Sequence, residues 1–340
     1  MNKSDSLVRR NKATARDVAV KAGVSKWTVN RAFTEGAPIS VDTREKVLKA
    51  ADELGYRPNL LARSLSKKRT NIIGIVVDQL NNPHIAPVLD EITTQLQNRG
   101  FMSLLLNISE ESSYKSVLQL ADQLQVDGLL FTGTVLSDDI LTLAKNDHDI
   151  NLVQMFRNSV NSEIQIVTTN GYMGGQELGR LLFSQGYTRF GYMQGPGNYS
   201  WELLRLDGYR DFLSSQEVEL HTMLHADQFD YASSYRSMKE YLQNTDPKDY
   251  IDALFCENDI LAMASMDALK DFGQGHHIGI VGFDGINLSE ATSYNLTTYL
   301  QPVSDIIDKS IARLLNPDWN KNKELLPGKL ICRTSHLRRG

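Results

Sequence analysis

From Ile72 onward the chain repeats one pattern, a short and almost wholly apolar run followed by a longer stretch with helical spacing. Ile72-Ile73-Gly74-Ile75-Val76-Val77 opens the pattern. Met102-Ser103-Leu104-Leu105-Leu106, Gly128-Leu129-Leu130-Phe131 and Leu152-Val153-Gln154-Met155 continue it. Apolar runs without polar alternation are strands buried on both faces, which is how parallel sheets read. A second series begins near Gln165-Ile166-Val167 and includes Phe190-Gly191-Tyr192-Met193, Ala253-Leu254-Phe255-Cys256 and Ile278-Gly279-Ile280-Val281. Such alternation predicts right-handed βαβ units. The expected fold class is therefore an α/β core of two doubly wound lobes. Lobe 1 is expected over about 71–168 and 302–328, with a helix near 303–315 returning to it. Lobe 2 is expected over about 169–301 and 329–340.

What precedes Ile72 is a different kind of chain. Thr14-Ala15-Arg16-Asp17 reads as a capping box with Asp in the acidic position. Val18, Ala19 and Ala22 make a short apolar face that ends at Gly23. Ser25 can cap a second helix through Thr28, Val29, Ala32 and Phe33, and a third runs from about Asp42 to Leu54. Two short helices joined by a Gly-containing turn are a helix-turn-helix or a plain helical hairpin. Charge bears on the choice. Residues 1–70 hold 16 Lys and Arg against 7 Asp and Glu, whereas the remaining 270 hold 20 against 34. A basic head on an acidic body is what a nucleic-acid binder with a second, unrelated domain shows; a solvated basic tail is the bland alternative.

Between head and body lies Tyr56–Leu65. Gly55 suits a helix C′ position, Pro58 forbids continuation, and Asn59 can cap a new start with Leu61 and Leu65 on one face. A helix of under two turns is unstable alone, so this segment is a helix only when something holds it. The expected division is a head over 1–57, a joint and linker over 58–70, and a core over 71–340.

Several functions are disfavoured. Cys256 and Cys332 stand far apart in apolar runs and read as buried thiols in a reducing compartment. No apolar h-region follows the N-terminus and no run approaches a membrane span, so a cytoplasmic protein without membrane partners is expected. Gly171-Tyr172-Met173-Gly174-Gly175 does not fit a dinucleotide fingerprint. No Walker loop, Gly-x-Ser-x-Gly elbow or His-Cys metal spacing is present, and His276-His277 read as surface residues. The expectation is no enzyme, no cofactor and no metal.

The motifs themselves carry a resemblance. Asp17-Val18-Ala19, Ala22-Gly23-Val24-Ser25, Thr28-Val29-Asn30-Arg31, Thr43-Arg44-Glu45-Lys46-Val47 and Leu54-Gly55-Tyr56-Arg57-Pro58-Asn59 closely resemble the DNA-binding head of the LacI/GalR repressors. Ala62-Arg63-Ser64-Leu65 is similar to that family's hinge helix. The resemblance implies a second helix in the major groove, with Lys26, Trp27 and Arg31 as base readers. Lys26 and Arg31 can donate to guanine O6 and N7, while Trp27 suits a thymine methyl or, alternatively, the head's own core. Asn30 suits a phosphate or an adenine; Ser25 and Thr28 suit phosphates, and Thr14 is a further expected DNA-binding residue. Asn59, Ala62 and Arg63 would line the minor groove or the phosphates, with Leu65 as a wedge between base pairs.

The body resembles the periplasmic-sugar-binding fold that this family uses as a sensor. The implied effector residues are Asn82, His84, Arg157, Arg205 (in Arg205-Leu206-Asp207-Gly208-Tyr209), Phe229, Asn258, Asp284 and Gln301. Guanidinium, carboxylate and amide groups beside an aromatic wall suit a polyhydroxylated ligand. Phe156 stands where many relatives carry an Asp, and His84-Ile85 replaces a usual aromatic pair. Losing a carboxylate near Arg157 and Arg205 tilts the expectation towards a sugar acid or sugar phosphate. The implied function is a repressor of carbohydrate-utilisation genes, controlled by a small sugar-like effector. The expected partners are a pseudo-palindromic double-stranded DNA operator and a second copy of the chain. A homodimer is preferred because no Leu heptad follows Leu337. A transport solute-binding protein is the alternative.

Overall fold

The computed structural model describes residues 13–34, 36–58, 69–78, 80–108, 114–133, 150–159, 164–196, 203–316 and 323–338. The chain divides into two compact units, 1–70 and 71–340.

In the first unit three helices pack on one another: α1 (Ala15–Ala22), α2 (Lys26–Ala32) and α3 (Val41–Glu53). Thr14 caps α1 through a complete capping box, its hydroxyl accepting from Asp17 N while Asp17 accepts from Thr14 N. Gly23, at φ +66°, turns the chain into α2, whose N-cap is Ser25. The core is small: Val18, Ala19, Val29, Ala32, Val47, Ala50, Ala51 and Tyr56. So few apolar atoms need help, and Arg44 supplies it. Its guanidinium donates to the carbonyls of Ala32 (2.7 Å), the last residue of α2, and of Thr34 (3.3 Å) and Ala37 (3.2 Å) in the loop that follows. Asn59, Ala62, Arg63 and Leu65, the expected minor-groove residues, lie outside the described residues.

The second unit contains two six-stranded sheets. Strands β1 (Ile72–Val77), β2 (Met102–Asn107), β3 (Gly128–Phe131), β4 (Leu152–Met155), β5 (Gln165–Thr169) and β11 (Lys323–Leu326) form the first. Their order is β11-β5-β4-β3-β1-β2, all parallel. The second contains β6 (Phe190–Gln194), β7 (Leu220–His225), β8 (Ala253–Cys256), β9 (Gly279–Asp284), β10 (Thr297–Leu300) and β12 (Lys329–Ile331), in the order β12-β10-β9-β8-β6-β7. Only β12 runs antiparallel among these. The strand at Gln165 thus closes the first series rather than opening the second, because it pairs with β4 and β11. Cys332, read from its apolar neighbours as buried, is exposed; Cys256 is buried.

The chain passes between the lobes three times: after β5, after β10 and between β11 and β12. The helix Val303–Leu315 packs on β3, β4 and β5. Its fully buried Arg313 donates to Ile166 O and Glu324, and Lys309 also reaches Glu324 (2.7 Å). One carboxylate thereby pins the returning helix to edge strand β11. Among the described residues no helix is long and apolar enough to cross a membrane.

Candidate functional site

Two places combine accessible or convergent polar chemistry. The first is the outer face of α2. Val29 and Ala32 point inward to the core, which leaves Lys26, Trp27 and Asn30 exposed and Arg31 half-buried beside them. Trp27 is 65% exposed, so it does not pack in the head's core. Instead it carries the Arg31 guanidinium 4.2 Å above its ring. Ser25 and Thr28 share a hydroxyl–hydroxyl bond of 2.9 Å at the start of the helix, and Ser25 accepts from Thr28 N. Thr14 lies at the start of α1 with its hydroxyl committed to Asp17.

The second place is the cleft between the two lobes of the core, at the C-terminal ends of their strands. In open α/β sheets that is where ligands bind, in the crevice outside the carboxyl ends of the strands. A cavity of about 350 Å³ is lined by Asn82, His84, Ile85, Thr132, Phe156, Leu203, Arg205, Phe229, Asn258, Asp284 and Gln301. It brings together Asn82, His84, Arg205, Phe229, Asn258, Asp284 and Gln301 from the expected set. Arg157, though buried, lines neither this cavity nor its neighbour. Ile85, which stands with His84 at the place of the usual aromatic pair, also lines it, and Thr132 and Leu203 join without any motif to announce them.

The polar groups of the cleft are bonded to one another or to the backbone beside them. Arg205 lies 3.6 Å over the Phe283 ring, donates to Glu257 O, and pairs with Asp284 at 3.4 Å. Gln301 donates to Asp284 Oδ1 (2.8 Å) and accepts from Thr169 Oγ1 (2.6 Å), so one amide links the end of β5 in lobe 1 to the end of β9 in lobe 2. Asn258 caps the helix Asp259–Phe272, accepting from Leu261 N (3.0 Å), which leaves its amide nitrogen as a donor. His84 meets Phe156 edge-on at 5.5 Å. Burial, aided by Arg205 and opposed by Asp284, holds the His84 imidazolium below its ordinary pKa. Phe156 itself sits at φ +61°, a conformation that aromatic residues rarely adopt.

Two devices fix this arrangement. Asp284 has φ +115°, and the turn it begins is held by the buried Asp259 carboxylate. That group accepts from Gly285 N and Ile286 N (both 2.9 Å) and from Thr298 Oγ1 (2.5 Å). Burial, then the charge of Asp284, push the Asp259 carboxyl up to about 8, against the pull of those three donors. The other device is Gly171-Tyr172-Met173-Gly174-Gly175, a motif with no reading in sequence. A Cβ on Gly175 would lie 2.1 Å from Arg205 O, and one on Gly208 would lie 2.0 Å from Tyr172 O. The glycines let the helix Gly171–Ser184 touch the helix Arg205–Ser215, and that contact places Arg205.

A second cavity of about 290 Å³ adjoins the cleft and shares Phe156, Leu203, Arg205 and Gln301 with it.

Comparison with known proteins gives this geometry its setting. Residues 70–314 match the family described as periplasmic binding proteins and sugar binding domain of LacI family, and residues 14–59 match bacterial regulatory proteins, lacI family. The transcriptional regulator DegA of Bacillus subtilis is 29% identical over 95% of this chain and 98% of its own length. The transcriptional repressor PurR of Photobacterium profundum is 28% identical over 92% of this chain and 94% of its own. In fold, the chain is similar to the lac repressor dimer bound to operator and the anti-inducer ONPF, with a TM-score of 0.86 and 23% identity over 96% of this chain and 100% of that one. With one family model on the head and another on most of the core, the chain belongs to the LacI family of bacterial regulatory proteins.

Proposed function

We propose that this DNA-binding regulator is a homodimeric repressor of carbohydrate-utilisation genes whose α2 reads a pseudo-palindromic operator. Its effector is a small polyhydroxylated molecule without net charge, held between the lobes. The observation that carries the effector reading is the convergence of Arg205, Asp284, Gln301 and Asn258 beside Phe229 in one buried cleft. Such a set offers donors and acceptors side by side, which hydroxyl groups satisfy.

An anionic effector required two unopposed cations, and the geometry supports the neutral class better. Asp284 sits on Arg205, and Arg157 is not among the residues that line the cavity. Solved proteins of similar fold are described as complexes with cellobiose, ribose and D-xylulofuranose, which are neutral sugars. A ligand that engages Asn82 and His84 from lobe 1 with Arg205 and Asp284 from lobe 2 would favour one angle between the lobes. Strand β1 begins at Ile72, just after the segment joining the units, so that angle is transmitted to the DNA-binding end of the chain. Typical coupling changes DNA affinity about 5- to 150-fold.

A homodimer is supported by edge strand β2, which exposes Met102 (47%) and Leu105 (49%). Two copies would cover such residues and match the two-fold symmetry of the operator. A thermal-shift screen of the full chain against neutral sugars, sugar acids and sugar phosphates tests the effector reading, since a ligand that binds only the folded state raises the midpoint. Stabilisation by a neutral sugar is expected. Stabilisation confined to acids or phosphates overturns the neutral class.

A further inference from the structure

The guanidinium carbon of Arg31 lies 4.2 Å from the centroid of the Trp27 ring, four residues earlier on α2. That spacing brings side chains together on a helix surface. The stack does not serve the head's core: Trp27 is 65% exposed, and neither residue belongs to the apolar cluster. Among the described residues no carboxylate stands within ion-pair distance of Arg31 to fix it instead.

The geometry of the two groups suggests what the stack does. A cation over an aromatic ring uses the flat face of the guanidinium. The N–H donors lie in the plane of the group, around its edge. Stacking therefore leaves the donor edge usable for the paired acceptors O6 and N7 of guanine. It also removes rotamers that a free Arg would lose only on binding, which lowers the entropy cost of docking.

We infer that Trp27 is a positioning residue that acts through Arg31, so that the pair reads one base pair as a unit. This differs from the sequence reading, in which Trp27 addresses a thymine methyl on its own. It rests on α2 being the recognition helix.

The test uses the full chain and a duplex obtained by in vitro selection from a randomised library at fixed salt. Affinity and base preference are then measured for the wild type, Trp27→Ala, Trp27→Phe, Arg31→Ala and the double variant. Trp27→Ala is expected to weaken binding about 5- to 30-fold. The loss of preference should fall on the base pair whose discrimination Arg31→Ala also removes. Trp27→Phe keeps a stacking face and should keep that preference. In the Arg31→Ala background, Trp27→Ala should change affinity by less than about twofold, because nothing remains to position. If Trp27→Ala erases preference at a different base pair, or its effect adds fully to that of Arg31→Ala, the inference is overturned while the recognition-helix reading stands. If neither substitution changes base preference, that reading falls as well.

Discussion

A handful of valines and alanines hold the head together, and its chemistry sits outside them on Lys26, Trp27, Asn30 and Arg31. The cleft is built the other way round. Arg205, Asn258, Asp284 and Gln301 are each at most 6% exposed, and each is bonded to the protein around it. The contrast fits the two partners proposed above. DNA is a polyanion wrapped in counterions, and exposed cations gain affinity by releasing those ions. A small hydroxylated molecule brings no such reservoir, so a site for it gains from polar groups held in place by the protein. The head is therefore expected to respond to salt, and the cleft to geometry.

The largest effect separates the two directly. Between 50 and 200 mM salt, operator affinity should fall about 10³- to 10⁵-fold if a dimer makes several phosphate contacts. Effector affinity over the same range should change less than about threefold, since its charges are paired and buried. Fluorescence anisotropy with labelled duplex and calorimetry with the effector measure the two slopes. Equal slopes would erase the distinction.

Next comes Arg205→Ala. It removes a cleft donor and leaves Asp284 buried without its cation, so effector affinity should drop by about 100-fold or more. The fold should lose about 3–5 kcal/mol in denaturant titration. Arg205→Ala combined with Asp284→Ala should recover part of that stability but none of the effector binding. Gly175→Ala should act more mildly on the same side chain. Its Cβ has only 2.1 Å to Arg205 O, so the helices must part. About a tenfold loss of effector affinity is expected, with operator affinity in the absence of effector unchanged.

The smallest effect is in pH. Burial depresses the folded pKa of His84 below the unfolded value near 6.5. Below that pH the unfolded chain binds the proton and the folded chain does not, so stability is present above about 6.5 and is lost on acidification. The thermal midpoint of the wild type should therefore fall more than that of His84→Gln between pH 7 and 5. A constant difference between them would contradict the buried, neutral imidazole.

Much of this was legible in the residues because local rules and tertiary packing agree. The caps at Thr14 and Ser25, and strands such as Gly128–Phe131, declare themselves by side-chain chemistry and apolar runs. The strand at Gln165 was harder to assign, since a strand's sequence does not say which sheet it joins. Arg157 shows another gap: its neighbour Phe156 takes a positive φ after β4, and which side chain at a strand end faces a cleft depends on that backbone turn. The glycines at 171–175 had no reading because their partner, the start of the Arg205 helix, lies some thirty residues away. Trp27 was ambiguous for a similar reason, because only its exposure and the position of Arg31 separate reader, core residue and platform.

The proposed regulation requires that a neutral ligand in the cleft change what the head does. The most direct measurement is the affinity of the full chain for its selected duplex, with and without the neutral sugar found by thermal shift, in the wild type and in Arg205→Ala. A change of about 5- to 150-fold is expected in the wild type and none in the variant. A response that persists in Arg205→Ala, or one that only sugar acids and phosphates elicit, would contradict it.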